Sequence, residues 1–457
     1  MMNLAEYRSR NRRLADFLPW VALVVTGIVL NKDGSFQRTA QFRGPDLDSA
    51  VPAELVAVAG RLNNAFRRLG SGWAIFVEAQ RHPSSRYPDS RFPDAASALV
   101  DAERKADFEC ESAERSSMEG DRRPNGSNFE SSYFLTFTWL PPAEETARTE
   151  TWLYEGRERA GIDPHEVLAG FVDRTDRILH LIEAFMPECR WLDDSETLTY
   201  LHGCVSSHRH RVRVPETPMY LDALLADLPL TGGLEPRLGD QHLRVLTITG
   251  FPTATTPGLL DELNRLAFAY RWSTRAILLD KTDAVRLLTK IRRQWFAKRK
   301  SVAAILKEVM TNEQSVLVDT DASNKAADAD LALQELGADY AGIAYVTATV
   351  TVWDADPHIA DEKLRLVEKV IQGRDFTAMP ETINAVDAWL GSLPGHVYAN
   401  VRQPPISTLN LAHMIPLSAV WAGPERDEHF DAPPLLYGRT EGSTPFRLSI
   451  HVGDVGH

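Results

Sequence analysis

Signatures of chemistry are scarce in this chain. Its 457 residues carry three cysteines, Cys110, Cys189 and Cys204, with no CxxC spacing among them. An odd, scattered set excludes a disulfide scaffold and a zinc module, and it fits a reducing compartment. No GxxxxGK[ST] occurs, so the sequence holds no phosphate-cradling loop. HExxH, GxSxG, GxGxxG and the protein-kinase set are missing too. Excess positive charge is also lacking: 50 Lys and Arg against 63 Asp and Glu give a net charge of −13, which argues against a general coat for polyanions. The uncharged run Phe17–Leu30, preceded by Arg8, Arg10, Arg12 and Arg13, imitates a secretory signal. Pro19 and Gly27 interrupt it, no small-x-small site follows, and it is shorter than the ~20 apolar residues of a spanning helix. A cytoplasmic protein is the expectation.

What remains is a well-furnished globular chain. Hydrophobic residues make up 44% and charged residues 25%, enough to build cores, and the length exceeds the roughly 250–300 residues a single core serves. Asn3–Phe17 has helical spacing with arginines on its outer face. Val24–Leu30 and Phe36–Phe42 read as paired strands about Asp33-Gly34. Pro52 and Glu54 open a helix that ends at Gly70 and Gly72, and Trp73–Gln80 follows as a strand. Ala102–Asn128, charged and rich in Ser and Gly, reads as a mobile excursion. Tyr133–Leu140 alternates as a strand, and a helical region spans about Glu150–Phe185.

The second half repeats this style. Leu243–Thr249 is a strand, Pro257–Ala267 a helix and Tyr270–Leu279 a strand; a helical insertion fills Asp283–Leu336. Ala341–Trp353, Pro357–Gln372 and Asp375–Met379 then read as strand, helix and strand. The order is that of a split ferredoxin-like unit. The fold class is therefore α+β, with mixed antiparallel sheets and packed helices. Three segments are expected: an α+β subdomain at 1–235, the ferredoxin-like subdomain at 236–395, and a Pro-rich connector at 396–457 that closes with strands Leu435–Arg439 and Phe446–Val452.

Four constellations bear on function. Asp319–Asp330 imitates a calcium loop, but Asn324 replaces its turn glycine, and Asp321 reads better as the N-cap of a helix Ala322–Leu336. His208 and His210 would share a strand face, yet no third ligand is near in sequence, so solvated basic residues are the simpler reading. His451, His457 and Asp454 lack a nucleophile. The strongest feature is the basic run with Lys290, Arg292, Arg293, Lys298, Arg299 and Lys300 around an apolar stripe of Leu288, Ile291 and Trp295. It reads as a solvated face, as a dock for an acidic partner or anionic membrane, or as a single-stranded nucleic-acid surface. Arg8, Arg10, Arg12, Arg13 and Trp20 form a second candidate membrane- or partner-facing element.

Long stretches carry a resemblance. Leu30–Ser49 (LNKDGSFQRTAQFRGPDLDS), Arg61–Arg81, Gly239–Pro252, Arg292–Lys300, Asp319–Gly337 and Asn400–Glu425 closely resemble the TrbE branch of the type IV secretion and conjugal-transfer ATPases, and the likeness spans essentially the whole chain. The resemblance implies an N-terminal region followed by a RecA-like motor, with ATP and Mg2+ as cofactors of the full-length family. In that family the Walker loop follows a strand like the one near Gly453–His457, so the motor is expected to be absent here. No catalytic, cofactor or metal residue can be carried over, and no ATPase activity is expected of this polypeptide. The implied role is docking and assembly at the inner face of the inner membrane, supporting pilus biogenesis and export. Inner-membrane channel components are the implied partners, with self-association. Nucleic-acid binding through the Lys290–Lys300 run is the alternative.

Overall fold

Alternation of apolar and polar side chains builds one large sheet whose two faces differ in character. The computed structural model describes residues 13–84, 87, 94–118, 128–142, 164–217, 219–252, 254–298, 320–399, 402–427, 429–431, 433–440, 443–449, 451–452 and 455–456. A short helix α1 (Leu14–Phe17) leads into strands β1 (Trp20–Val25), β2 (Ile28–Asn31) and β3 (Phe36–Arg43). Helix α2 (Pro52–Phe66), β4 (Trp73–Pro83), α3 (Ala95–Met118), β5 (Phe129–Trp139), α4 (Pro164–Glu183) and β6 (Glu188–Trp191) follow. Next come α5 (Asp194–Val205), α6 (Leu221–Leu225), the small strands β7 (Leu230–Thr231) and β8 (Arg237–Leu238), and β9 (Gln241–Gly250). The second half continues with β10 (Tyr270–Leu279), α7 (Lys281–Lys298), α8 (Thr320–Gly337), β11 (Ile343–Asp354), α9 (Pro357–Gln372), β12 (Thr377–Pro380) and α10 (Ala385–Leu390). Strand β13 (Pro405–Ser407), α11 (Thr408–Met414) and the hairpins β14 (Leu436–Arg439)–β15 (Pro445–Leu448) and β16 (His451–Val452)–β17 (Val455–Gly456) complete the chain.

The α+β class holds, and its internal logic is a repeat. Strands β9, β10, β11 and β12 lie in the order β12-β9-β11-β10, all neighbours antiparallel. That is the ferredoxin-like arrangement. Strands β3, β4, β5 and β6 lie in the matching order β6-β3-β5-β4. Helix α2 corresponds to a 3-10 turn at Asp261–Arg265, and α4 corresponds to α9. The two units join through β4 and β10, antiparallel from Tyr270↔Arg81 to Ile277↔Ala74. The second unit is legible in the sequence; the first is hidden there by the hairpin and by α3.

Four expectations need correcting. The run Val24–Leu30 is two strands, because Thr26 and Gly27 turn between β1 and β2, with Gly27 at φ +70°. A side chain at Gly27 would strike the Leu192 carbonyl, while the Gly27 N–H donates to Asp194 Oδ1 at 2.7 Å. The helix expected at Pro257–Ala267 is only the 3-10 turn, since Asp261 turns inward and accepts the N–H groups of Leu417 (3.1 Å) and Ser418 (2.9 Å). The expected excursion from Ala102 is helical as far as Met118, as part of α3. Helix α8 starts at Thr320, so Asp321 lies inside the first turn instead of capping it.

One face of the sheet is apolar. Val58, Leu62 and Phe66 of α2, Phe171 and Ile178 of α4, and Leu364, Val367 and Ile371 of α9 pack there against Ile75, Trp272 and Val350. Helix α9 shows why it forms: Pro357 begins it, Asp356 accepts the His358 N–H at 2.8 Å, and its buried residues recur at helical spacing. The opposite face is polar at the seam. Glu78 and Arg271, both buried, make a two-pronged pair at 2.6 and 3.0 Å. Tyr200 donates to Glu78 Oε2 at 3.2 Å, Gln80 donates to Oε1 at 2.8 Å, and Arg271 reaches the Ser392 carbonyl at 2.7 Å. Arg275 donates to the carbonyls of His396 (3.0 Å) and Ala399 (2.6 Å). Burial works against the charge on Arg271, and Glu78 more than offsets it, so its pKa is raised.

Removing one partner leaves the other charge buried and alone, which costs about 3–5 kcal/mol. Arg271→Met is therefore expected to lower the urea midpoint strongly, and Glu78→Gln with Arg271→Met to recover some of the loss; a double-mutant cycle on urea unfolding measures the coupling.

Candidate docking surfaces

The basic helix and a nearby groove share one end of the sheet. Asp280 Oδ1 accepts the Asp283 N–H at 2.8 Å and starts α7, whose Ala284 and Leu288 pack against Leu336 and Ile343. The opposite side of α7 carries Lys290 and Arg293, both exposed, as the amphipathic spacing requires. Arg292 is half-buried and its Nη1 stands 2.9 Å from Asp330 Oδ1 on α8, so the residue that closed the imitation calcium loop is an ion-pair partner. Lys298 belongs to the α7 backbone, while Arg299 and Lys300 lie outside the described residues.

The N-terminal candidate changes character. Arg8, Arg10 and Arg12 lie outside the described residues, and Arg13 is exposed beside α1. Trp20 is not a surface group. It is fully buried, and its indole N–H donates to the Pro394 carbonyl at 2.8 Å, because β1 places it in the core formed with Leu198, Leu201 and Trp389.

His208 and His210 gain company that sequence spacing could not show. His202, near the end of α5, donates from Nε2 to Asp227 Oδ2 at 3.0 Å, and Ser206 donates to the same oxygen at 3.0 Å. His208 Nδ1 is 3.4 Å from that oxygen, and the His210 ring lies 4.6 Å from the His202 ring. Burial lowers the His202 pKa; burial would raise that of Asp227, but its hydrogen bonds from His202 and Ser206 hold it low. Arg209 is not simply solvated either, since its guanidinium reaches Gln80 Oε1 at 3.4 Å. Among the described residues no group of His, Cys, Asp and Glu has the arrangement of a metal site. The cluster pins the loop after α5 against the polar face.

Two of the clefts among the described residues have room for a peptide. The first, about 920 Å³, lies between the end of α2 and the side of α4, where β4 starts and β5 ends. Arg174, Arg177, Ile178 and Leu181 line it at helical spacing along α4, facing Arg68 and Leu69. The second, about 910 Å³, lies between β3, β5 and the segment Ala419–Gly423. Arg43 stacks over Trp421 there at 4.7 Å, and Arg447 pairs with Glu130. His82 lines this second cleft, with Nε2 3.2 Å from Ser132 Oγ; burial, with Arg209 nearby, lowers its pKa to about 4. Cys189, also in its lining, has its pKa pushed up to about 12 by burial and is not a ready nucleophile. Neither cleft was legible as a motif; the Arg174–Leu181 spacing was the one available signal.

An antiparallel double ferredoxin-like sheet with helices packed on it defines an α+β protein. Comparison with known proteins gives the family. Residues 27–147 match the model described as type IV secretion system ATPase VirB4/TrbE, N-terminal domain, and residues 188–402 match that of the CagE, TrbE, VirB family, component of type IV transporter system. The conjugal transfer protein TrbE of Rhizobium radiobacter is 34% identical across 100% of this chain, which covers 56% of that protein. Sinorhizobium fredii (strain NBRC 101917 / NGR234) has a probable conjugal transfer protein TrbE described as two separate pieces. The second piece is 38% identical over 57% of this chain and 39% of its own length. The first piece is 36% identical over 34% of this chain and 96% of its own length. The chain belongs to the VirB4/TrbE family of type IV secretion system components. It spans about half the length of the Rhizobium radiobacter relative. Among the described residues no helix is long and apolar enough to cross a membrane.

The depressed pKa of His82 fixes a sign. A histidine that titrates near 4 when folded and near 6.5 when unfolded gives stability that is complete above the unfolded value. That stability is lost as pH falls from about 6.5 through 4, up to about 2 kcal/mol for a group that keeps some contact with water. Urea midpoints measured across this range are expected to fall with acid, and more shallowly in His82→Gln.

Proposed function

We propose that this chain is a docking and assembly region of a conjugal-transfer ATPase. It works on the cytoplasmic side as a peripheral component of the inner membrane, where it holds channel components and supports pilus biogenesis and export. One observation carries the reading: a chain matching the family along its whole length has an antiparallel sheet and no GxxxxGK[ST] sequence. A P-loop needs a strand, a glycine-rich loop and a helix in succession, so that backbone N–H groups converge on phosphate. On this reading ATP and Mg2+ belong to the motor of the full-length family, and this polypeptide binds neither. Its work is recruitment, with copies brought side by side by the oligomer they serve. The exposed Lys290 and Arg293 and the Arg-lined groove supply charged docking surfaces on an otherwise acidic chain. The nucleic-acid alternative has a smaller footprint than the sequence suggested, because Arg292 is committed to Asp330.

Two measurements test the proposal. Titration calorimetry with ATP and Mg2+ is expected to show no binding, and a stoichiometric isotherm would overturn the nucleotide-free reading. In donor cells the chain is expected to fractionate with the inner membrane when the other channel components are present and to be released when they are deleted. Equal recovery in the soluble fraction in both strains would overturn the docking role.

A further inference from the structure

We infer that the groove between α2 and α4 is the seat of an acidic protein segment with aliphatic anchors; this rests on the docking reading above and names its chemistry. Arg68 and Arg174 are both exposed at the groove and have no carboxylate within ion-pairing distance among the described residues. Arg174 instead lies over the Trp139 ring, with Cζ 5.2 Å from the centroid, and an arginine stacked on an aromatic ring can still take a bidentate acceptor at its edge. Arg177 differs, being held by Asp173 at 2.7 Å. Beside these guanidiniums the groove also presents aliphatic surface, with Leu140 and Leu181 36% and 38% exposed next to Ile178.

Charge complementarity selects the occupant. Two guanidiniums with no carboxylate partner among the described residues, one of them donating only to the Asn64 carbonyl, call for carboxylates. Asp280 also lines the groove, its side chain beside Gly70, and its fixed negative charge opposes a continuous phosphodiester or a layer of anionic headgroups. A peptide avoids that conflict by setting its acidic residues against Arg68 and Arg174 and its leucines against Ile178 and Leu181. The helical spacing of Arg174, Ile178 and Leu181 gives the groove alternate polar and apolar contacts along one line.

Fluorescence anisotropy on the full chain tests this with a labelled decapeptide of glutamate pairs separated by single leucines. Binding that weakens about tenfold or more in Arg68→Glu/Arg174→Glu is expected, with about a threefold loss in Leu181→Ser, which keeps the charges. Lys290→Glu/Arg293→Glu on α7 is expected to change it less than about twofold. Circular dichroism checks that the exposed substitutions leave the fold intact. Failure of the peptide to bind, or binding that the double arginine reversal does not weaken, overturns the assignment. So does displacement by oligo(dT) or by phosphatidylglycerol vesicles whose own binding needs Arg68 and Arg174. Arginine-dependent peptide binding in a chain that ignores the channel components upholds the groove and overturns the docking role. Channel-dependent fractionation without peptide binding overturns the groove alone.

Discussion

The pairing of β4 with β10 is the contact on which the molecule depends. It fuses two four-stranded units into one sheet, and the cost of that fusion is a buried charge pair at its centre. Glu78 and Arg271 sit where the polar faces of the two strands meet, so neither has access to water. Taking both charges out of water is costly and requires good geometry and further hydrogen bonds. The surrounding donors and acceptors, Tyr200, Gln80 and the Ser392 carbonyl, complete the hydrogen bonding and make the arrangement tolerable. A register slip by one residue would move Glu78 to the apolar face and leave Arg271 unpaired. The pair therefore selects one alignment of the two units more than it adds stability.

Buried arginines on both faces of the sheet tie down the rest of the chain. Arg275 holds the segment after α10 through two carbonyls, and Arg81 donates to the Leu266 carbonyl. Buried arginines that bind backbone instead of carboxylates act as fasteners for irregular segments whose own carbonyls would otherwise be buried without donors. Asp261 is the mirror case, an acid that accepts the N–H groups of Leu417 and Ser418. Just beyond it, Ala419 pairs with Pro45 and Leu47, which returns the Pro-rich segment to the first unit.

Much of the second unit was legible because its strands are long and alternate cleanly. Tyr270–Leu279 and Pro357–Gln372 fall where periodicity puts them, and caps such as Asp356-Pro357 mark their edges. Less could be read where tertiary demands override local pattern. Gly27 divides one apolar run into two strands, and Asp261 replaces a helix by a 3-10 turn because its carboxylate is needed elsewhere. Trp20 looked like an interfacial anchor beside arginines, but sequence could not reveal that β1 turns it toward Pro394. The His202–Asp227 contact joins residues 25 apart, and the groove between α2 and α4 joins more distant ones, so neither forms a motif.

Symmetry within the fold bears on how such a scaffold presents its surfaces. Both units carry their helical insertion at the same junction, α3 between β4 and β5, and α7 with α8 between β10 and β11. Since β4 and β10 run antiparallel, the end of one lies beside the start of the other, and the insertions must emerge at opposite ends of the sheet. The groove, which needs the start of β4 and the end of β10, is thus placed beside the basic helix and away from α3. Loops at a ferredoxin-like hairpin lengthen at little cost to the sheet, because closure entropy grows slowly with length. Opposite ends can therefore diverge in charge and partner while the shared seam, with its one permitted register, stays fixed.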